Sequence, residues 1–188
     1  MNLNRQFKDS LNYVKDSMGY IYFAFFMFLL FVFLGFYLNK NLGFIDIFLK
    51  ELINRVSGLN LIELILFILQ NNIQASFYGL IFGVFFAIFP LLDIAVNGIF
   101  VGYVLAKVEE IGGIYQIWRL FPHGIFELPA VFISLGLGLK LGMFVFSKKP
   151  MGELKKRVLG SLNSFLFIVV PLLVIAASIE GALIFFSG

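Results

Sequence analysis

The chain contains one histidine, His123, and an acid, Glu127, follows it four residues later. Residues four apart lie on one face of an α-helix, so these two side chains are expected to project together. Pro122 suits the first turn of a helix, whereas Pro129 would leave the carbonyl of Ile125 without its usual partner. Because ionisable groups beside an apolar run are costly to bury, the pair indicates a site.

Three interpretations of His123 stay open. A neutral imidazole could join helix ends through hydrogen bonds, or the side chain could relay protons or ions, as His and acids at membrane depth often do. It could also bind a metal, although one His and two carboxylates form a sparse ligand set. The sequence contains no Gly-x-Ser-x-Gly, His-Glu-x-x-His or P-loop motif and implies no cofactor. A catalytic role is therefore the less favoured prediction.

The composition predicts an integral membrane protein. The 188 residues are 61% hydrophobic and 13% charged, whereas soluble domains are about half apolar and a quarter charged. There is no cysteine, which removes disulfides and cysteine-ligated zinc. The basic residues stand at the ends of apolar runs without a basic aromatic face, so nucleic acid is not an expected partner.

Apolar runs of about 20 residues predict one all-α membrane domain of about five spans, with one or two interfacial amphipathic helices. The predicted elements are an interfacial helix over 1–18, span one over 19–38, an interfacial segment over 42–70, and spans two to five over 72–89, 91–107, 123–146 and 164–186. Residues 90–93 are predicted to form a tight turn and 147–163 a charged loop. As an alternative, 75–107 forms a re-entrant hairpin, because both of its segments are short.

Small residues recur at every fourth position in spans two, three and four, and such rows let helix backbones approach closely in a membrane. The predicted packing glycines are Gly79, Gly83, Gly98, Gly102, Gly138 and Gly142. These three spans are therefore expected to form a tight inner bundle. Span one has no such row and is expected to be peripheral and to face lipid.

The polar residues of the predicted spans fall into two groups by depth. The outer-side group is His123, Glu127, Glu180, Asn71 and Asn72, with the two asparagines as possible caps of span two. The opposite group is Asp93, Asn97 and Lys140, in which Asp93 is expected to meet Lys140. Basic residues are more numerous beside the N-terminal tail and the 147–163 loop, which predicts a multi-pass protein of the cell membrane with a cytoplasmic N-terminus.

Several of these residues, in order, resemble the stage II sporulation protein M family. They are Asn71-Asn72, Asn97-Gly98 with Gly102, Pro122-His123-Gly124 with Glu127, Gly136 and Gly138 with Leu139, and Ala176-Ala177 with Ile179-Glu180-Gly181. The resemblance spans about residues 70–182 and implies a membrane protein of about five spans. In spore-forming bacteria, members act as a membrane scaffold for a cell-wall-degrading complex.

Two functions are expected from the residues and the resemblance together. The first is a non-enzymatic scaffold, or a transporter- or channel-like component, with an outer-side polar pocket. Its expected partners are membrane lipid and either a second copy or another membrane protein. The alternative is an intramembrane enzyme or metal-dependent protein that uses His123, Glu127 and Glu180.

Overall fold

The structure is a computed structural model that describes residues 3–112 and 121–187, with side chains for all of these except 111, 121–126 and 187. Throughout these ranges the fold is all-α, as predicted. The helices are α1 Leu3–Lys15, α2 Met18–Tyr37, α3 Ile45–Val56, α4 Leu61–Ile81, α5 Ile88–Gly112, α6 Phe121–Gly142, α7 Pro150–Ser164 and α8 Val170–Ser187. Five described segments are long and apolar enough to cross a membrane, which confirms the predicted number of spans.

Helix α6 is the centre of the bundle. It packs on α2, α4 and α8, and 56% of its apolar segment is buried, against 22–28% in the other four spans. Leu135, Leu137 and Leu141 are fully buried along it. Residues of α6 belong to the two larger clusters of buried apolar side chains among the described residues, so this helix positions the greater part of the core.

The second span begins earlier than 72–89, and that prediction was wrong. Helix α4 starts at Leu61, where the Asn60 side chain accepts from the Glu63 N–H and the Glu63 carboxylate accepts from the Asn60 N–H, both at 3.0 Å. This capping box satisfies the first free donors of the helix. The apolar segment Leu61–Val84 is long enough to span, so the shortness that suggested a re-entrant hairpin came from a misplaced boundary.

The tight turn between spans two and three also lies earlier than 90–93. It is made of apolar residues: Phe86 and Ala87 both have positive φ, 57° and 60°, and Pro90 lies in the first turn of α5. Left-handed backbone is unfavourable for residues with a Cβ. The turn is held because the Ala87 N–H donates to the Gly83 carbonyl at 2.9 Å and the Ala87 backbone lies against Gly142.

Helix α2 packs more closely than a lipid-facing span would. A Cβ on Gly102 would collide with the carbonyl oxygen of Val32, and one on Gly35 would collide with the backbone of Ile99. Phe28 is buried against Phe132, with ring centroids 5.2 Å apart. The glycine row of the third span therefore faces α2, and α2 contributes Gly35 to this contact, although span one was expected to be peripheral and to have no row of small residues.

The predicted charged loop over 147–163 is helix α7. Pro150 starts it, and Arg157 pairs with Glu153 one turn earlier at 3.5 Å. A π-helical segment, Phe165–Val169, joins α7 directly to α8. Pro171 explains that segment, because proline lacks an N–H and its ring crowds the carbonyl four residues before it. Helices α7 and α8 thus form one continuous helix with a π-helical step before Pro171.

Helix α3 contacts the bundle near both of its ends, and at its C-terminal end Val56 packs against the buried Leu64, Ile68 and Ala177. Ile45 is buried and the Asp46 carboxylate accepts from the hydroxyl of the fully buried Tyr103 at 2.7 Å. The Asp46 carboxylate therefore binds the Tyr103 hydroxyl and forms no ion pair with Lys50. Arg55 and Glu51 do form an ion pair, at 2.5 Å. The exposed apolar face of α3 agrees with an interfacial helix; it comprises Phe44, Ile47, Phe48, Leu52 and Ile53.

Candidate functional site

The predicted His123–Glu127 site is described in part. Residue 123 lies within helix α6, but its side chain is outside the described side chains. Glu127 is half-buried and interacts with a neighbour in the structure. The helix that should bring the two side chains to one face is therefore present, and their direct contact stays a prediction.

Glu180 lies in the packed part of α8. Gly181, beside it, is in contact with Ile65 of α4, and Ala177 is buried with Leu64 and Ile68. The Oε2 atom of Glu180 is buried and has no hydrogen-bond partner among the described residues. A buried carboxyl oxygen without a partner is rare in native proteins and requires an explanation.

The asparagines of the predicted cluster lie elsewhere. Asn71 is exposed and Asn72 half-buried in the middle of α4, so neither caps that helix. Asn72 follows Ile65 by two helical turns, which is about 10 Å at 1.5 Å per residue. Because Gly181, the neighbour of Glu180, packs against Ile65, the structure does not bring Asn71 and Asn72 to Glu180.

The predicted Asp93–Lys140 contact does not form, since each side chain has another partner. The Asp93 Oδ1 atom accepts from the Asn97 side-chain amide at 2.6 Å. The Lys140 ammonium donates to the Ser17 hydroxyl at 2.8 Å and lies 3.9 Å from the centroid of the Tyr13 ring. Asp93 is at the α4–α5 side of α6, whereas Lys140 turns to α1.

We call Tyr13, Ser17, Lys140 and Arg157 the Lys140 cluster. The Arg157 guanidinium donates to the Lys140 carbonyl at 2.6 Å, and the Tyr13 hydroxyl donates to the Arg157 carbonyl at 3.3 Å. Burial raises the pKa of the Tyr13 hydroxyl, which keeps it a neutral donor. The hydrogen bonds of the cluster join α1, α6 and α7, so we interpret its role as structural.

We call the cleft between α4 and α5 the Asp93 groove. It is lined by Tyr78, Gly79, Phe82, Phe89 and Asp93, among others, and has a volume of about 340 Å³. Helix α5 packs mainly on α2, and α4 on α6 and α8, so α4 and α5 diverge beyond their turn. A half-buried carboxylate thus stands in an otherwise apolar and aromatic cleft. The sequence reveals Asp93 as a charge in an apolar run, but not the divergence that opens the groove.

The bundle of five apolar segments and its internal polar groups define a polytopic α-helical membrane protein. The chain belongs to the stage II sporulation protein M family, whose model matches residues 24–183. It is also 31% identical over 129 residues to the uncharacterized protein MJ0706 of Methanocaldococcus jannaschii, over 66% of this chain and 57% of that protein. No solved structure matches the chain.

Proposed function

We propose that this protein is a non-enzymatic scaffold of the cell membrane. One observation carries the proposal: α6 is in backbone contact with its neighbours, through Gly138 with α4, through Gly142 with the α4–α5 turn, and through Gly136 with Ile21 of α2. Close-packed backbones cannot slide without steric conflict. A bundle with such backbone contacts can present fixed surfaces to lipid, to a second copy or to another membrane protein. It is less suited to alternate between two packing arrangements, as a transporter does.

The orientation belongs to this proposal. We expect α1 and α7, which the Lys140 cluster holds together, to lie on the cytoplasmic side. Lys148, Lys149, Lys155 and Lys156 are exposed there, and basic residues favour the cytoplasmic side. Cysteines introduced at Lys8 and Lys155 should react with an impermeant maleimide only after the cells are opened. Labelling in intact cells would reverse the orientation.

The absence of native cysteine permits a direct test of rigidity. Spin labels on cysteines at Phe26 of α2 and Leu66 of α4, both largely exposed, report the distance across the bundle in proteoliposomes. A scaffold should give one narrow distance distribution that is unchanged between pH 5 and 8 and with or without a sodium gradient. Two populations that exchange with pH or gradient would contradict the scaffold and favour a transporter.

Glu180 supports a second candidate, a transporter- or channel-like component that handles protons or ions. Ser134 donates to the Ser76 carbonyl at 2.6 Å, which fixes the register of α6 on α4. If this register continues for three helical turns toward the start of both helices, residue 123 is expected at the level of Ile65, the residue that Gly181 contacts. We therefore propose that His123, Glu127 and Glu180 share one outer-side pocket, whose buried Glu180 oxygen takes a proton or a cation.

Three variants test this pocket by thermal stability in detergent and by flux in liposomes. Glu180→Gln, which imitates the protonated acid, should fold as well as the parent, whereas Glu180→Ala and His123→Ala should leave buried partners unpaired and lose roughly 3 kcal/mol. Glu180→Gln should also abolish proton flux if the pocket conducts. Equal stability of all three variants would contradict a shared pocket.

The metal-dependent or enzymatic alternative uses the same three residues and has its own readout. Protein purified without chelator should then contain a stoichiometric metal ion that is lost in His123→Ala and retained in the exposed control Glu109→Gln. A metal content that is the same in both variants would contradict this alternative without affecting the scaffold.

A further inference from the structure

The Asp93 carboxylate is the one charge in a long apolar stretch. Between Glu63 and Lys107 the sequence has no other acidic or basic residue. Asp93 follows the first residue of α5, Ile88, by five positions, which is a depth of about 7 Å along the helix. Among the described residues no lysine or arginine forms an ion pair with it. An unmatched carboxylate at this depth is costly, so we look for a ligand that compensates it.

The carboxylate is held in place and keeps one oxygen available. Its Oδ1 atom accepts from Asn97 at 2.6 Å. Its Oδ2 atom lies where α4 has no side chain: a Cβ on Gly79 would stand 2.8 Å from Oδ2 and 2.6 Å from a methyl carbon of Leu135. Within the described part of the chain, Oδ2 accepts no hydrogen bond. Gly79 thus makes room for the carboxylate, and Oδ2 remains free to accept from a ligand.

Aromatic rings form the rest of the wall. Tyr78 and Phe82 are stacked with centroids 5.7 Å apart, and Phe82 and Phe89 are 5.4 Å apart. All three rings are partly exposed, and the groove opens to the side of the bundle because α4 and α5 diverge. A ligand would therefore enter from the lipid phase and would meet ring faces as well as the carboxylate.

These features select an ammonium group. A divalent metal ion would need about six oxygen ligands, whereas the groove supplies one carboxylate among apolar walls. A protonated amine has three N–H donors, of which one can bond to the carboxylate while the others face the aromatic rings, which attract a cation. None of the described residues that line the groove is basic, so a phosphate beside the amine, as in an aminophospholipid, would have no partner among them.

We propose that the Asp93 groove binds the protonated amine of a phosphate-free, long-chain lipophilic amine. The ammonium donates to Oδ2 of Asp93 and lies against the rings of Tyr78, Phe82 and Phe89. The alkyl chain leaves the groove between α4 and α5 into the lipid. This site is independent of the scaffold and of the Glu180 pocket.

The test uses the full chain in a non-ionic maltoside detergent. Two photoreactive C12 probes carry the same diazirine in the chain, one with a primary amine head and one with a hydroxyl head. The amine probe should label peptides of α4 and α5 around the groove, and dodecylamine should compete with it. The hydroxyl probe should label them weakly, because it provides no charge for Asp93.

Variants then separate the carboxylate from general charge. In Asp93→Asn, which keeps the shape and the contact to Asn97, amine labelling should weaken at least about tenfold, the size of one lost charge-assisted hydrogen bond. In Glu109→Gln, which removes an exposed carboxylate from the same helix, labelling should not change. Equal labelling by the two probes, or unchanged labelling in Asp93→Asn, would overturn the proposal.

Two further outcomes also decide. Competition by phosphatidylethanolamine as strong as that by dodecylamine would overturn the assignment to a phosphate-free amine. If Asp93→Asn does not fold, the comparison of the amine and hydroxyl probes on the unmodified protein still decides, since only a charge-selective groove separates them.

Discussion

The Lys140 cluster and the Asp93 groove each place an ionisable side chain within a predicted span, but they satisfy it differently. Lys140 has an acceptor in Ser17 and an aromatic face in Tyr13. Asp93 has a donor in Asn97 for one oxygen and no partner in the described residues for the other. Lys140 thus connects helices through an acceptor and an aromatic ring, whereas we infer that the free oxygen of Asp93 marks a place for a ligand. Stability measurements distinguish the two cases.

The largest loss of stability is expected from a substitution in α6, the helix that contacts both the Lys140 cluster and the wall of the Asp93 groove. Gly138 is in backbone contact with Gly79 of the groove wall, and it precedes Lys140 on α6. Gly138→Leu would force the backbones apart and should cost about 3 kcal/mol or more, with loss of folded yield in detergent. Gly152→Leu, where a Cβ meets nothing within 4 Å, should retain the yield. Equal yields would show that the α4–α6 contact is not essential.

Lys140→Met should have the next largest effect. It removes the ammonium from Ser17 and from the Tyr13 ring while keeping the length of the side chain, and we expect a loss of about 2 kcal/mol in thermal unfolding. Lys148→Met, an exposed lysine soon after the same helix, should change stability by less than about 0.5 kcal/mol. If Lys140→Met were as stable as Lys148→Met, the result would contradict a structural role of the Lys140 cluster.

Ser17→Ala should lower the stability of the protein less than Lys140→Met does. The buried Ser17 hydroxyl accepts from Lys140 and donates to the Tyr13 carbonyl at 2.6 Å. Its loss should cost about 1 kcal/mol, and little more when combined with Lys140→Met, because both changes remove the same interaction. Fully additive losses in the double variant would show that the two residues act separately.

The smallest change is expected at the groove. Asp93→Asn removes an uncompensated charge and should leave the free energy of unfolding unchanged or raise it slightly, by up to about 1 kcal/mol. A loss above about 1 kcal/mol in ligand-free protein would mean that Asp93 is matched as well as Lys140 is. The distinction between the two regions would then fail.

The sequence predicts the number of spans because long apolar runs are a strong local signal. The boundaries of the spans depend on weaker signals, the capping and turn residues. Asn60 and Glu63 have the spacing of a capping box, yet Asn71-Asn72 interrupts the apolar run and thereby predicts a helix start that is too late. Pro90 and Asp93 resembled turn residues, while the real turn contains Phe86 and Ala87 in left-handed conformation. That turn is imposed by packing against Gly142, which no local pattern encodes.

The candidate sites were less predictable for the same reason. Asp93 and Lys140 were recognised as costly residues, but their partners depend on where α1 and α5 pack. Ser17 and Lys140 are far apart in the sequence, as are Asp46 and Tyr103. Hydrogen bonds between distant residues follow from the tertiary arrangement, and a single sequence gives no direct signal for them.

The uninterrupted helix from α7 through the π-helical segment to α8 is longer than a bilayer is thick. Its Pro150–Phe186 segment has 37 residues and a length of about 55 Å, well beyond the hydrocarbon thickness of about 30 Å. The rod must tilt or extend from the bilayer, and its tilt changes with bilayer thickness. Because α1 is attached to α7, lipid acyl-chain length would set the angle at which the surface formed by α1 and α7 meets the headgroups.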